Sequence, residues 1–173
     1  MFSDLKGKVA VVTGAGKRTG IGFGVARELA ACGCRLVVAD LGSEGREGGV
    51  VAAGSVAEME SIAEELGAAH SVETLALSVD ITRTESVARM AERIREAFGQ
   101  VDVLCNNAGA VFGVPNAVHT YSEADWLRTI DVNLHGAFRV SRALLPLMLG
   151  RPGSIVNTAS RAGKVPPIFN GAY

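Results

Sequence analysis

Ten residues carry the first hint of chemistry. Residues 13–22 read Thr13-Gly14-Ala15-Gly16-Lys17-Arg18-Thr19-Gly20-Ile21-Gly22, between a β-branched apolar run and an amphipathic stretch. Gly14 permits a tight turn that a Cβ would obstruct. A small residue at Gly20 lets backbone approach a pyrophosphate, and Gly22 with Ala26 lets helix and strand pack closely. The helix N-terminus then offers N–H groups and a partial positive charge to phosphates. Gly16, Lys17, Thr19 and Ile21 complete the residues placed to face such a ligand. A glycine cluster alone says little, because any turn uses glycine. The next apolar run, however, ends at Asp40-Leu41. A carboxylate there can accept hydrogen bonds from adenosine ribose hydroxyls and repel a 2′-phosphate. A helix N-cap or a solvated loop acid is the plainer reading of Asp40. Strand, turn, helix and acid together point to a nicotinamide dinucleotide, NAD rather than NADP. Lys17 and Arg18 pull the other way, since either could pair with a 2′-phosphate.

The elements that must position these residues follow from periodicity. Strands are predicted over 8–13 (KVAVVT), 35–40 (RLVVAD), 74–79 (TLALSV), 101–105 (VDVLC) and 154–158 (SIVNT). Helices are predicted over 20–32, 56–66 and 84–98. Their inward stripes are Ile21, Val25, Ala26 and Leu29; then Met59, Ile62, Ala63 and Leu66; then Val87, Met90, Ala91, Ile94 and Phe98. Thr84 is the expected N-cap of the third. A long helix opens at Ser122, with Glu123 and Asp125 in its first turn where the dipole favours anions. It runs toward Leu149 and should loosen at Pro146. Strands alternating with helices indicate βαβ units, and near-continuous apolar strands indicate a parallel sheet covered on both faces. The fold class is α/β, a doubly wound Rossmann-type sheet with its crevice beyond the carboxyl ends of the strands. The glycine-rich stretch 41–55 is long for a βα connection, where about 2–6 residues is usual. It reads as a surface insertion or, alternatively, as a flap near the ligand.

The 173 residues favour a single domain with ordinary composition, 48% hydrophobic and 20% charged. A net charge of -1 without a basic stripe gives nucleic-acid binding no support. The N-terminus has no apolar signal segment, and no apolar run approaches the ~18 residues of a membrane span. Cys32, Cys34 and Cys105 lack metal-ligand spacing and are expected to be reduced, which suits a cytoplasmic protein. His70, His119 and His135 are scattered, so no metal site is expected.

Four motifs taken in order resemble the short-chain dehydrogenase/reductase family over essentially the whole chain. They are the glycine turn, Asp80 within Val79-Asp80-Ile81-Thr82, Asn106-Asn107-Ala108-Gly109, and Ser160 thirteen residues before Tyr173. The resemblance implies sheet order 3-2-1-4-5. It implies that Asp80 and Ile81 contact the adenine, while Asn106, Asn107, Ala108 and Gly109 line the nicotinamide side and brace the sheet. Asn133 matches the family's catalytic asparagine. Ser160 would hydrogen-bond the substrate oxygen, and Tyr173 would be the general acid/base during hydride transfer between a secondary alcohol and a ketone. A turn cap for Asn106 and Asn107, and a helix-kink polar residue for Asn133, remain the simpler readings. The family also implies a homodimer or homotetramer for the full-length form, joined through the long helix.

Two departures accompany the match. Five residues separate Gly14 from Gly20, two more than in the family's common turn. That spacing resembles the enoyl-thioester reductase branch, which is kept as an alternative. The family's lysine, four positions after the tyrosine, falls beyond Tyr173. The expectation is a partial record of a longer protein, lacking the C-terminal strands of the full fold and inactive as it stands. A short form that binds dinucleotide without catalysis, or pairs with a full-length subunit, is the other alternative.

Overall fold

Side chains alternate along the central strands and divide the core in two. The computed structural model describes residues 2–42, 53–165 and 167–173. Its strands are β1 (Val9–Thr13), β2 (Arg35–Asp40), β3 (Thr74–Ser78), β4 (Val103–Asn106) and β5 (Ser154–Asn157). They form one sheet in the order β3-β2-β1-β4-β5, every neighbouring pair parallel. The main helices are α1 (Ile21–Ala31), α2 (Val56–His70), α3 (Thr84–Phe98), α4 (Glu123–Ile130) and α5 (Ala137–Leu144). Ala10, Val12, Leu36 and Val38 pack toward Ala26 and Ala30 of α1 and Met59, Ile62 and Leu66 of α2. Val11, Val37 and Ala39 pack on the opposite face toward α3 and α5, against Met90, Ile94, Val140 and Leu144. Each fully buried Ile or Leu here contributes about 1.5–3 kcal/mol.

The base of the sheet is pinned by Asp102. It is 3% exposed, accepts hydrogen bonds from Val9 N and Gln100 Nε2 at 2.8 Å each, and pairs with Lys8 Nζ at 3.5 Å. Burial pushes its carboxyl up, but the Val9 N–H, Gln100 and Lys8 together hold it below its ordinary value.

Three local expectations change. Ile21 does not point inward; it is 72% exposed, and α1 buries Gly22, Ala26 and Ala30 instead. Its position in the first turn turns it out over the carboxyl edge of the sheet. Thr84 is the first residue of α3, and Arg83 is the cap, with no side-chain bond to the helix. The long helix does open at Ser122, whose Oγ accepts from Asp125 N. It is not continuous: a π-helical stretch, Asp131–Gly136, separates α4 from α5, and a tight turn with Pro146 follows at Leu145–Leu147. Such widened turns recur at functional sites. Two residues hold this one. The Asn133 amide donates to the carbonyls of Ala110 and Thr129, and Gly136 lies where a Cβ would stand 2.7 Å from Ile81 Cδ1.

Most of the predicted insertion at 41–55 lies outside the described residues. Its described end is not remote from the turn, because Gly54 sits where a Cβ would collide with the Gly16 carbonyl oxygen. Among the described residues no helix is long and apolar enough to cross a membrane.

Candidate functional site

The carboxyl ends of the strands converge on a cleft of about 450 Å³. At the end of β1, Gly14 adopts φ +69°, and a Cβ there would lie 2.8 Å from Ala108 Cα. A Cβ on Gly22 would collide with the Gly14 carbonyl oxygen. Both glycines are therefore steric requirements of a turn folded against the end of β4. Asn107 locks the two together, its Nδ2 donating to the Thr13 and Gly14 carbonyls at 3.0 and 3.3 Å. The buried Thr13 hydroxyl completes the seam: Oγ1 accepts from Asn107 N and Ala108 N at 3.1 Å each. Thr13 opens the glycine motif in the sequence, but nothing local to the motif announces this role for its hydroxyl.

The turn contributes Gly14, Lys17, Thr19, Gly20 and Ile21 to the cleft. Gly20 is the N-cap of α1 and makes no side-chain bond to the helix. Among the described residues no side chain accepts from the first N–H groups of α1, where an anion would be stabilised. The end of β2 contributes Asp40 and Leu41. Asp40 Oδ2 accepts from Gly16 N at 2.8 Å and Oδ1 from Leu41 N at 2.7 Å. A Cβ on Gly16 would lie 2.6 Å from Asp40 Cβ, so Gly16 seats the acid and does not itself line the cleft. Burial pushes the Asp40 carboxyl above its ordinary value, and the two N–H groups and Lys17 offset part of that rise.

Arg18 takes a different position from the one considered for a 2′-phosphate partner. Its guanidinium is turned to α2, with Nη1 2.5 Å from Glu65 Oε2 and Nη2 3.1 Å from Ser61 Oγ. These partners lie more than forty residues away in sequence, and no local spacing announces them.

Asp80 and Ile81 follow β3 and line the cleft. Asp80 Oδ1 accepts from Thr82 N at 2.9 Å and Thr82 Oγ1 at 2.6 Å, which orders that corner. Asn107, Ala108 and Gly109 follow β4 and also line it. Asn106 sits deeper, donating from Nδ2 to Ser141 Oγ and Asn157 Oδ1 at 2.9 Å each and so tying β4 to β5 and α5. Asn133 Oδ1 accepts from Ala110 N at 3.2 Å, and a Cβ on Gly109 would come within 2.7 Å of that oxygen. The Asn133 side chain thereby braces the loop behind the cleft. Phe112, Val132 and Thr158 add to the wall without having been singled out from sequence. Tyr173 reaches the cleft and is 45% exposed. Ser160 is exposed and does not line the cleft; its Oγ accepts from Ala162 N at 3.1 Å as the cap of a short turn, Arg161–Gly163.

The donor set suits a dinucleotide: glycines for close backbone approach, a helix N-terminus for phosphate, and a carboxylate one strand over for ribose hydroxyls. The model of the short chain dehydrogenase family matches residues 8–173. The chain is 35% identical over 169 residues to an uncharacterized oxidoreductase, YxbG, of Bacillus subtilis, covering 98% of this chain and 56% of that protein. This chain belongs to the short-chain dehydrogenases. Among solved structures it resembles carveol dehydrogenase from Mycobacterium avium in complex with NAD, with TM-score 0.88 and 27% identity over 96% of this chain and 59% of that one. It also resembles L-sorbose reductase from Gluconobacter frateurii complexed with NADPH and L-sorbose, with TM-score 0.81 and 29% identity over 97% of this chain and 59% of that one. The chain thus spans little more than half the length of the relatives it matches.

Proposed function

We propose that the chain binds NAD in preference to NADP, as the cofactor-holding part of an oxidoreductase that interconverts a secondary alcohol and a ketone. The observation that carries the preference is the Asp40 carboxylate, fixed by the Gly16 and Leu41 N–H groups on the cleft wall. A carboxylate held in that way accepts from a ribose diol and repels a phosphate in the same place. The N-terminus of α1 and the glycine turn hold the pyrophosphate, while Asp80 and Ile81 border the adenine and Asn107 to Gly109 the nicotinamide side. A nicotinamide bound there would supply or accept the hydride. Tyr173 exchanges the substrate hydroxyl proton, and Asn133 acts as a positioning residue for the loop at Ala110; the substrate contact of Ser160, which caps a turn outside the cleft, rests on the family resemblance alone. The apolar residues Leu134 and Phe138, each 61% exposed on the outer side of the helix, support self-association as part of the same proposal.

Fluorescence titration with NADH and NADPH tests this reading. NADH is expected to bind more tightly. Absence of binding, or tighter NADPH, would overturn it. These 173 residues alone are proposed not to turn over, and NADH production by them from a panel of secondary alcohols would overturn that. The same panel given to a version extended to the length of the relatives tests the reaction class, and a crotonyl thioester turned over there in preference to every ketone would replace it with enoyl reduction.

A further inference from the structure

The enlarged turn is held from outside by one face of α2. Glu58, Ser61 and Glu65 stand at helical spacing on that face, and all three accept from Arg18. The backbone N–H of Arg18 donates to Glu58 Oε1 at 3.0 Å, Nη1 to Glu65 Oε2 at 2.5 Å, and Nη2 to Ser61 Oγ at 3.1 Å. Just before α2, Gly54 presses on the Gly16 carbonyl, so helix and turn also meet backbone to backbone. Lys17, one residue earlier, lines the cleft beside Asp40. Arg18 is therefore turned to α2, while Lys17 stays near enough to Asp40 to act on its carboxyl.

We propose that Glu65 and Ser61 of α2 are specificity-determining residues, which hold the Arg18 guanidinium away from the dinucleotide cleft and so exclude it as a partner for a ribose 2′-phosphate. An arginine fork is well matched to phosphate and pairs with it bidentately. Released from α2, Arg18 remains tethered next to Lys17 at the rim of the cleft, where a second cation favours the phosphorylated nucleotide. Held by α2, its charge is balanced by Glu65. Glu58, on the same face of α2, holds the Arg18 backbone N–H. After burial, its charge is among the influences that raise the Asp40 carboxyl, which places it within the field of the acid at the ribose position. This inference rests on the cleft being a dinucleotide site and goes beyond it, because it assigns selectivity to residues outside the cleft.

Arg18 and Glu65 are exposed, 40% and 54%. Such pairs contribute little to stability, so the clamp can be opened without unfolding the chain. The experiment compares the parent chain, Glu65→Ala, Ser61→Ala/Glu65→Ala and Glu65→Gln, each with Arg18 intact and with Arg18→Ala, by fluorescence titration with NADH and NADPH. The double substitution should raise the NADPH-to-NADH affinity ratio by roughly three- to tenfold, and Glu65→Gln by less. Arg18→Ala should abolish the gain in every case. A ratio that does not move would overturn the clamp. So would a gain that persists without Arg18, which would trace to lost negative charge alone. A parent chain that binds neither nucleotide, or prefers NADPH, overturns the reading of the cleft and this inference with it; a parent that prefers NADH while the ratio stays fixed overturns the clamp alone.

Discussion

The centre of the sheet and its β5 edge are built differently around one cleft. On the β1–β2 side, Val9 to Val12 are fully buried, and Gly14, Gly16 and Gly22 leave no room for a methyl group. The acid and the asparagine there are both joined to the turn by hydrogen bonds between side chain and backbone. On the β5 side, every residue of Ser154–Asn157 is exposed, Tyr173 is 45% exposed, and Ser160 is engaged only with its own turn. The cleft-lining residues that follow β1, β2 and β4 are thus fixed by steric fit, whereas Ser160 and Tyr173 follow β5, the edge strand of the described sheet. An exposed edge carries few of the contacts that hold a side chain in reacting geometry.

The difference can be broken first at Gly22. Gly22→Ala puts a methyl group into the Gly14 carbonyl, and should cost about 3 kcal/mol of stability together with measurable NADH binding. Chemical denaturation and NADH titration check it; a stable variant that still binds would show the turn to be looser than described. Asp102→Asn should cost about 1–3 kcal/mol while leaving nucleotide affinity alone, since it weakens the acceptor for Val9 N at the opposite edge of the sheet. Its pH dependence has a definite sign. A carboxyl held below its ordinary value when folded stabilises above the unfolded value, ~3.9, and that contribution disappears as pH falls through the lower folded value. Acid unfolding of the parent should therefore be steeper than that of Asp102→Asn. Asp40→Ala should reduce NADH affinity by roughly tenfold and NADPH affinity by much less, by removing a charged acceptor. Burial raises the pKa of Asp40, so it protonates at a higher pH than a free aspartate does, and NADH affinity should decline as pH falls through that raised value. Equal losses for both nucleotides would detach Asp40 from the choice between them. Smallest of all, Ser160→Ala should change stability by less than about 0.5 kcal/mol in the same denaturation assay; a larger loss would mean that the β5 side is as tightly fixed as the β1 side.

The contrast also governs what the sequence reveals. The apolar runs of β1 and β2 and the stripes of α2 and α3 are local patterns, and the structure follows them closely. The order of the strands is not local; it came with the family resemblance, because sequence spacing does not say which strand lies beside which. The π-helical stretch was hidden for the same reason. Pro146 marks a visible break, but Asn133 and Gly136 open the helix through Ala110 and Ile81, residues that only the fold brings near. Arg18 shows the limit most clearly. Its charge and its position in the turn were legible and suggested a phosphate partner, whereas its actual partners belong to a helix that begins thirty-eight residues later. Ser160 and Tyr173 were legible as a pair by spacing, yet only Tyr173 lines the cleft.

The contact of Gly54 with Gly16, and of Arg18 with α2, has a consequence for transplantation. Residues 13–22 are not a portable module. Grafted alone into another α/β scaffold, the turn would leave the Arg18 N–H without Glu58 and the Gly16 carbonyl without its glycine neighbour. A working transfer must carry α2 and its approach with the turn, so the heritable unit is two βα repeats instead of one.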